Sequence, residues 1–398
     1  MSKYKSLYAL TLVMASSSFG SALWQALFSI YLEEKGISYV GIGLSSSMIS
    51  MLPALLALPA GIISDTYDKR KLITLSLLAN SIVVFFLPII KNIYVLMIIT
   101  LIYGSLSAIF SQSALSLVAH TSTTSFRATA YSLYYFAGQV LGTIGTFLSG
   151  PFIERYGYNI LYVLASISYM ISASLAIFLL NDTSHTSDKI PDLHRSLHKL
   201  RETLRVSKRL RLLITAVALH DCASFMAVPF VALFAKNVLN LSKSTVSLLL
   251  GVRSTSMMLM QVLSGRLADT FGGAQLLALH IILMSFLNTL YGLSKAFTEA
   301  LILMILLGIV FSLDMPARRA LLSILAPKDL IASVNGIADT ITGIFAIISS
   351  TLSGYLWQVG YVREIFILAG LCNALAIPFI VALTRSNNEN QDSSSAPL

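Results

Sequence analysis

The sequence predicts an all-α membrane protein with 12 transmembrane helices in two six-helix, pseudo-symmetric halves. Of its 398 residues, 56% are hydrophobic and only 11% are charged. A soluble domain needs roughly a quarter charged residues to cover its surface. The apolar residues recur in stretches of about 20 or more, enough to cross roughly 30 Å of hydrocarbon. Marker residues of the first half also recur in the second half at a constant offset.

Each apolar stretch is expected to be a helix, because only helices and closed barrels satisfy their backbone groups in lipid. The short alternating segments typical of a barrel are absent from the sequence. The first half is predicted to have spans at about 7–32, 39–64, 72–90, 93–120, 127–153 and 158–180. The second half is predicted to have spans at about 211–236, 244–268, 274–294, 299–325, 331–357 and 362–384.

These spans divide the chain into an N-terminal half (1–182), a cytoplasmic linker (183–210), a C-terminal half (211–385) and a tail (386–398). The linker is basic and has a leucine stripe at helical spacing, formed by Leu193, Leu197, Leu200 and Leu204. This pattern is typical of an amphipathic helix on an anionic membrane surface, although a solvated tether is equally compatible with it. The Asn/Ser-rich tail lacks apolar periodicity and is predicted to be disordered.

The distribution of Lys and Arg predicts that both termini and the linker are cytoplasmic. With the N-terminus inside, 19 of the 27 basic residues fall on inner segments, including Arg318 at the end of span 10. The outer segments carry seven, namely Lys35, Lys91, Arg155, Lys236, Lys243, Lys295 and Arg363. Such a bias sets orientation in membrane proteins. The net charge of +9 is therefore a topology signal and not a sign of nucleic-acid binding. The predicted location is the plasma membrane, which the chain crosses several times.

An internal repeat with an offset of 204 residues relates the two halves. It pairs Gly61 with Gly265, Asp65 with Asp269, Gly104 with Gly308, Gly150 with Gly354 and Ser38 with Ser242. A common register across several helices indicates duplicated structure. Two parallel six-helix halves are a transporter architecture, in which the substrate is held near the midplane.

In span 5, Gly138 and Gly142 form a GxxxG pair followed by Gly145, which predicts close helix packing.

The loop between spans 2 and 3 reads GIISDTYDKRK from Gly61 to Lys71. It resembles the signature loop of the major facilitator superfamily, Gly-x-Leu-Ala-Asp followed by Arg-x-Gly-Arg-Arg. Four positions match, Gly61, Asp65, Lys69 and Arg70, while Thr66 and Asp68 depart from it. The second half repeats the first part as GRLADTFG, with Gly265 and Asp269 in place and the basic part missing.

The resemblance covers residues 5 to 385 and implies a cytoplasmic gate. In that family the aspartate equivalent to Asp65 faces the start of helix 11, where the helix dipole favours a carboxylate. Asp65 would thus latch the cytoplasmic side of an outward-facing transporter, and Gly61 would let two helices approach closely. The alternative is that Asp65 and Asp269 lie in solvated loops whose charges only reflect the positive-inside rule.

Ionisable side chains in the middle of a span are costly and are functional by default. In the second half these are His220, Asp221, Arg253, Asp314 and Asp339, whereas the first half has the polar candidates Trp24, Gln25, Gln112 and Gln139. Structural alternatives exist: Asp314 can pair with Arg318 four residues on, Arg253 can neutralise Asp221 or Asp339, and His220 and Trp24 can simply be packed.

Six of these residues are expected to converge on a substrate cavity between the halves: Trp24, Gln25, Gln112, Gln139, Asp221 and Asp314. Asp221 is predicted to carry the coupling proton, with Asp314 and Asp339 as further candidates and Arg253 as a competitor for the carboxylate. A buried carboxylate suits this role because desolvation disfavours its charged form.

The sequence therefore predicts a secondary active transporter that moves a small organic solute by alternating access, most simply by proton-coupled efflux as an antiporter. It has no Gly-x-x-x-x-Gly-Lys-[Ser/Thr] loop, metal cluster or nucleophile constellation, so no enzyme activity, cofactor or metal is expected. The expected partners are a small-molecule substrate, protons and the lipid bilayer, and the chain is expected to be a monomer. An uptake symporter or uniporter, or a transporter-fold sensor or scaffold, is the alternative.

Overall fold

A computed structural model describes residues 2–90, 92–122, 127–180, 207–325 and 331–395, and all regular elements within these ranges are helical. Each predicted span coincides with a helix or with two consecutive helical segments, numbered α1 to α12 in chain order. Nine stretches of the described helices are long and apolar enough to cross a membrane, and one of these is the 50-residue stretch Ala130–Leu179. The predicted all-α membrane fold is thus confirmed.

The helices of the first half follow the predicted spans closely. Helix α1 is Ser2–Gln25 continued by Phe28–Glu34, α2 is Tyr39–Leu55 continued by Ala57–Thr66, α3 is Lys69–Phe86 with the 3-10 turn Leu87–Ile89, and α4 is Ile93–Thr121. Helices α5 and α6 form the stretch Arg127–Leu179, which breaks at Gly157. The φ of +77° at Gly157 is a left-handed conformation that only glycine adopts at little cost.

The second half has the matching set. Helix α7 is Lys208–Ala227, the 3-10 turn Val228–Phe230 and Val231–Asn237; α8 is Lys243–Phe271; α9 is Gly273–Leu293; α10 is Phe297–Phe311 continued by Asp314–Leu325; α11 is Ile331–Gln358; and α12 is Glu364–Ser395. The last helix thus continues through residues 386–395, where the sequence predicts a disordered tail. No Pro or Gly interrupts this segment, so the helix can propagate from its packed part. Most of the linker lies outside the described residues.

Local geometry also repeats at the offset of 204 residues. Ser38 accepts a hydrogen bond from the backbone N–H of Gly41, and Ser242 accepts one from Thr245, both at 3.2 Å. Each serine caps the N-terminus of its helix, α2 or α8. Helices α1 and α7 both break and resume as seven-residue segments, Phe28–Glu34 and Val231–Asn237. The two halves are therefore duplicated in detail as well as in helix order.

The helices form two compact units that do not coincide with the two halves. Unit 1 comprises Met1–Ile190 and Pro229–Ser254, so it includes the last part of α7 and the first part of α8. Unit 2 comprises Pro191–Val228 and Thr255–Leu398. Within unit 1, α1 packs against the α5/α6 stretch; within unit 2, α7 packs against α11 and α12, and α9 packs against α10 and α12. Leu213, Ile281 and Ile380 belong to the apolar core of unit 2.

Candidate functional site

A buried arginine joins two acids in unit 2. Arg318 donates from Nη1 and Nη2 to the two carboxylate oxygens of Asp221, both at 2.7 Å. The same guanidinium donates from Nε to Asp314 Oδ1 at 3.1 Å and lies 2.9 Å from Asp314 Oδ2. Thr342 on α11 donates to Asp221 Oδ2 at 2.6 Å. This charged cluster (Asp221, Arg318 and Asp314) therefore ties α7, α10 and α11 together.

The break in α10 positions two members of the charged cluster. Its second segment begins at Asp314, where a carboxylate is favourable beside the positive end of the helix dipole. Pro316 is tolerated in this first turn because the backbone N–H that proline lacks has no helical partner there. Arg318 follows one turn after Asp314 and therefore lies on the same face. The i, i+4 pair considered from the sequence is present, but it is only part of a larger set.

The cluster carries a net negative charge in a buried place. Asp221, Asp314 and Arg318 are 6%, 6% and 7% exposed. Burial of charges is tolerated only with close pairing and full hydrogen bonding. From the sequence, Arg253 was one possible cation for Asp221, and Arg318 was assigned to the cytoplasmic side as a topology-setting charge. In the structure, Arg318 makes the two-pronged bond to Asp221 and is buried within unit 2. Arg318 therefore does not belong among the loop charges that indicate topology.

Two histidines lie beside the charged cluster. His220 Nδ1 is 2.7 Å from Asn373 Oδ1 on α12, and its Nε2 is 3.1 Å from the Nε2 of His280 on α9. His280 Nδ1 is 2.7 Å from the backbone carbonyl of Val310. Both rings are buried. His220 is a site residue predicted from the sequence, whereas His280 is not. The only sequence signal of His280 is its place as a lone histidine within the apolar ninth span.

These histidines and Asp314 are the described residues whose spacing would suit a metal ion. Their ligand atoms lie within 4.8 Å of one another. Both oxygens of Asp314 already face Arg318, and the guanidinium would repel a bound cation. The distance of 3.1 Å between the two Nε2 atoms also suits an N–H···N hydrogen bond directly. A hydrogen-bonded pair therefore fits this geometry better than a metal centre.

A separate polar network occupies the inside of unit 1. Gln25 donates from Nε2 to the hydroxyl of Tyr103 at 2.7 Å and to Ser21 at 2.9 Å. The Tyr103 hydroxyl lies 2.7 Å from that of Tyr169. Trp24 is 1% exposed and packs edge-on against Tyr103. Trp24 and Gln25, both predicted site residues, thus lie in one aromatic and amide cluster linking α1, α4 and α6.

The other predicted pathway residues are more loosely enclosed. Gln112 on α4, Gln139 on α5 and Arg253 on α8 are half-buried residues of unit 1. Asp339 on α11 is half-buried in unit 2. The convergence of the six predicted residues on one substrate cavity stays a prediction.

The signature loop lies at the end of α2 and the start of α3. Asp68 caps α3 by accepting from the N–H of Lys71 at 2.9 Å, Lys69 is buried, and Arg70 donates to the backbone carbonyl of Ile177. The side chains of Asp65 and Asp269 lie outside the described residues, so the latch stays a prediction.

The glycines of the two motif copies have open space around them among the described residues. A Cβ placed on Gly61 or Gly265 would have nothing within 4 Å. The close helix approach that the family resemblance implies at Gly61 stays a prediction.

Four charged residues of unit 1 form a second ionic cluster, the acid–lysine seam (Glu33, Glu34, Lys236 and Lys243). Lys236 Nζ lies 3.0 Å from Glu33 Oε2 and 3.1 Å from Glu34 Oε1, and Lys243 Nζ lies 2.9 Å from Glu34 Oε2. Asn237, the repeat partner of Glu33, also donates to it. The seam joins the end of α1 to the end of α7 and the start of α8.

Comparison with known proteins agrees with this architecture. The Major Facilitator Superfamily model matches residues 10–220 and 213–397. Multidrug resistance protein 2 of Bacillus subtilis (strain 168) is 24% identical over 407 aligned residues, which cover 92% of this chain and 97% of that protein.

Solved structures share the fold at low sequence identity. A mutant of the nucleoside transporter NupG has 11% identity and a TM-score of 0.82, over 95% of this chain and 99% of that chain. A bacterial homolog of the human lysosomal transporter Spinster, inward-facing and occupied, has 14% identity and a TM-score of 0.78, over 95% of this chain and 96% of that chain. With the family model matching nearly the whole chain, this multi-pass membrane protein belongs to the major facilitator superfamily of transporters.

Proposed function

We propose that the protein exports small organic molecules across the plasma membrane in exchange for protons, as a monomer with both termini in the cytoplasm. The observation that carries the proposal is the charged cluster, in which one guanidinium serves two buried carboxylates on different helices. A proton-coupled transporter needs a buried group whose change of charge alters contacts between helices. The carboxyl group of Asp221, bound across helices by Arg318, is a candidate for such a group.

Protonation of Asp221 would change the bond between α7 and α10. A neutral carboxylic acid accepts more weakly than a carboxylate, so Arg318 would lose most of its two-pronged attachment to α7. It would keep Asp314, which is one turn away on its own helix segment. Uptake of a proton would thus free the second segment of α10 from α7, and release of the proton would bind it again.

The relative named as a multidrug resistance protein, which is 24% identical, supports efflux of organic molecules. Trp24 is packed among other rings, whereas Gln25 beside it is only half-buried. The Gln25 amide therefore supports an organic substrate, because such a group can orient a ligand by a hydrogen bond.

The function can be tested by flux in proteoliposomes. Thermal-shift screening of the purified protein selects a ligand, and its movement is then measured with and without an imposed pH gradient. We expect accumulation against the concentration gradient only when protons can flow in the opposite direction. Asp221→Asn should abolish accumulation while leaving ligand binding and exchange, whereas Glu299→Gln, an exposed acid in unit 2, should behave as wild type.

The alternatives give different results in the same assay. Solute movement in the same direction as protons would indicate an uptake symporter, and movement that ignores the pH gradient would indicate a uniporter. Ligand binding without any flux would indicate a sensor. If flux through the Asp221→Asn variant still responds fully to the pH gradient, another carboxylate couples transport. Asp314 and Asp339 are then substituted by asparagine in the same assay.

A further inference from the structure

The hydrogen bonds of the two buried histidines leave a question about their protons. The backbone carbonyl of Val310 can only accept, so His280 Nδ1 must carry a proton. If His280 is neutral, its Nε2 is then an acceptor. The 3.1 Å contact to His220 Nε2 therefore requires a proton on His220 Nε2.

The other nitrogen of His220 faces an acceptor as well. Its Nδ1 lies 2.7 Å from Asn373 Oδ1, an amide oxygen that needs a donor. With the Asn373 amide in this orientation, His220 would carry protons on both nitrogens as an imidazolium. The two rings would then hold three N–H protons, one more than two neutral histidines.

The surrounding charges favour this extra proton. The charged groups of the neighbouring charged cluster are Asp221 on α7 and Asp314 and Arg318 on α10, and Asp221 directly follows His220 in the chain. Two carboxylates and one guanidinium leave one negative charge uncompensated, which is costly in a buried site. The two helices packed against α7 carry Thr342 and the half-buried Asp339 on α11, and Asn373 and Cys372 on α12. One positive charge on the histidine pair makes the cluster of five ionisable groups neutral.

We propose that His220 and His280 share one excess proton through their Nε2 atoms, and that this buried pair holds the coupling proton while Arg318 binds both carboxylates. The inference rests on the proposed function only in calling this the coupling proton. Transfer of the proton from His220 to a carboxylate leaves two neutral rings and a carboxylic acid, so charge is conserved. If the Asn373 amide were turned around, its NH2 would donate to a neutral His220, and the buried negative charge would remain.

Nitrogen NMR on the full-length protein in lipid bilayers tests the proton count without transport. The six histidines are labelled with ¹⁵N and recorded at about pH 8, above the usual histidine pKa of about 6.5. We expect one doubly protonated ring with a ¹⁵N–¹⁵N coupling across the hydrogen bond to a second ring. The coupling should disappear in His280→Asn and remain in His120→Asn, which removes an exposed histidine at the end of α4.

Asp221→Asn provides a test that leaves both rings in place. It removes one negative charge, so the pair should become neutral and the doubly protonated signal should be lost at the same pH. Glu299→Gln should leave that signal unchanged. The inference would be overturned if all six histidine rings were neutral in the wild type. It would also be overturned if Zn²⁺ bound stoichiometrically, shifted the ¹⁵N resonances of both His220 and His280, and no longer bound to His280→Asn.

The NMR result and the flux result are independent. A neutral histidine pair in a protein whose flux responds to pH would refute the shared proton and leave the proposed function standing. A charged pair in a protein whose flux ignores pH would refute proton coupling and leave the shared proton standing.

Discussion

At the scale of single residues, Arg318 holds the most demanding position. Its guanidinium makes hydrogen bonds to two carboxylates, and planar geometry lets it meet Asp221 with two parallel bonds. A lysine ammonium at this position could not reproduce the two-pronged bond. The stability of unit 2 therefore depends on how the charges of this cluster balance.

Charge balance gives a prediction about substitutions at Arg318. Arg318→Gln leaves Asp221 and Asp314 buried together without their cation, and breaking a buried pair costs about 3–5 kcal/mol. Addition of Asp221→Asn removes one of the two acids, so the double variant should unfold at a higher temperature than Arg318→Gln alone. Thermal unfolding in detergent measures this. The control is Arg318→Gln combined with Glu299→Gln, which should unfold at the same temperature as Arg318→Gln alone. If Asp221→Asn lowers the unfolding temperature of Arg318→Gln further, the charge argument is contradicted.

At the scale of elements, helix α5 packs against α1 through some of its glycines and not through others. A Cβ on Gly145 would lie 2.7 Å from the backbone oxygen of Phe19, and one on Gly138 would lie 2.9 Å from Ser18 Oγ. A Cβ on Gly142 would lie at an ordinary 3.7 Å from Ser18. The GxxxG pair expected from the sequence is thus half right, since the close approach involves Gly138 and Gly145.

This difference predicts opposite effects for two equivalent substitutions. Gly145→Ala should lower the thermal unfolding temperature, because overpacking of a tight contact costs typically about 1–3 kcal/mol. Gly142→Ala, in the same helix, should leave the temperature unchanged or raise it, because alanine is the better helix former by about 1 kcal/mol. Equal effects of the two variants on purified protein would show that α1 and α5 do not pack as described.

At the scale of the whole molecule, the acid–lysine seam makes the end of α7 and the start of α8 part of unit 1. Its side chains are between 17% and 33% exposed, so each single ion pair contributes little. Next to the seam, Gly150 on α5 packs tightly against the backbone oxygen of Lys243, which leaves no space for a Cβ. The topology prediction places the acid–lysine seam on the outer side of the membrane. In an alternating-access cycle, we expect the seam to open and close.

Charge reversal in the seam should open it. Lys236→Glu places three acids together, so the end of α7 and the start of α8 should move away from α1 and α5. This movement should expose Ser247, which is buried against the Phe147 carbonyl of α5 in the present structure. In a background with Cys222→Ala and Cys372→Ala, a cysteine at position 247 should react faster with a membrane-impermeant thiol reagent. Lys295→Glu, which reverses an exposed predicted outer lysine outside the seam, is the matched control. Equal labelling rates in the two variants would argue against the seam as a gate.

The sequence by itself determined the fold and its duplication. Long apolar stretches permit few structures in lipid, and the marker residues at an offset of 204 made the two halves recognisable. It also identified Asp221, Asp314 and His220, because a polar group in an apolar stretch stands out without any knowledge of its neighbours.

Only the tertiary structure decided which of these groups meet. Arg318 lies 97 residues from Asp221, and His280 lies 60 residues from His220, yet each pair is in direct contact. An almost uniformly apolar helix gives little indication of which face turns inward, so its rotation depends on packing against its neighbours. Helix rotation determines hydrogen-bond partners, and partners determine whether a buried charge is balanced; for that reason the pairing of Arg318 and of the two histidines could not be read from the chain alone.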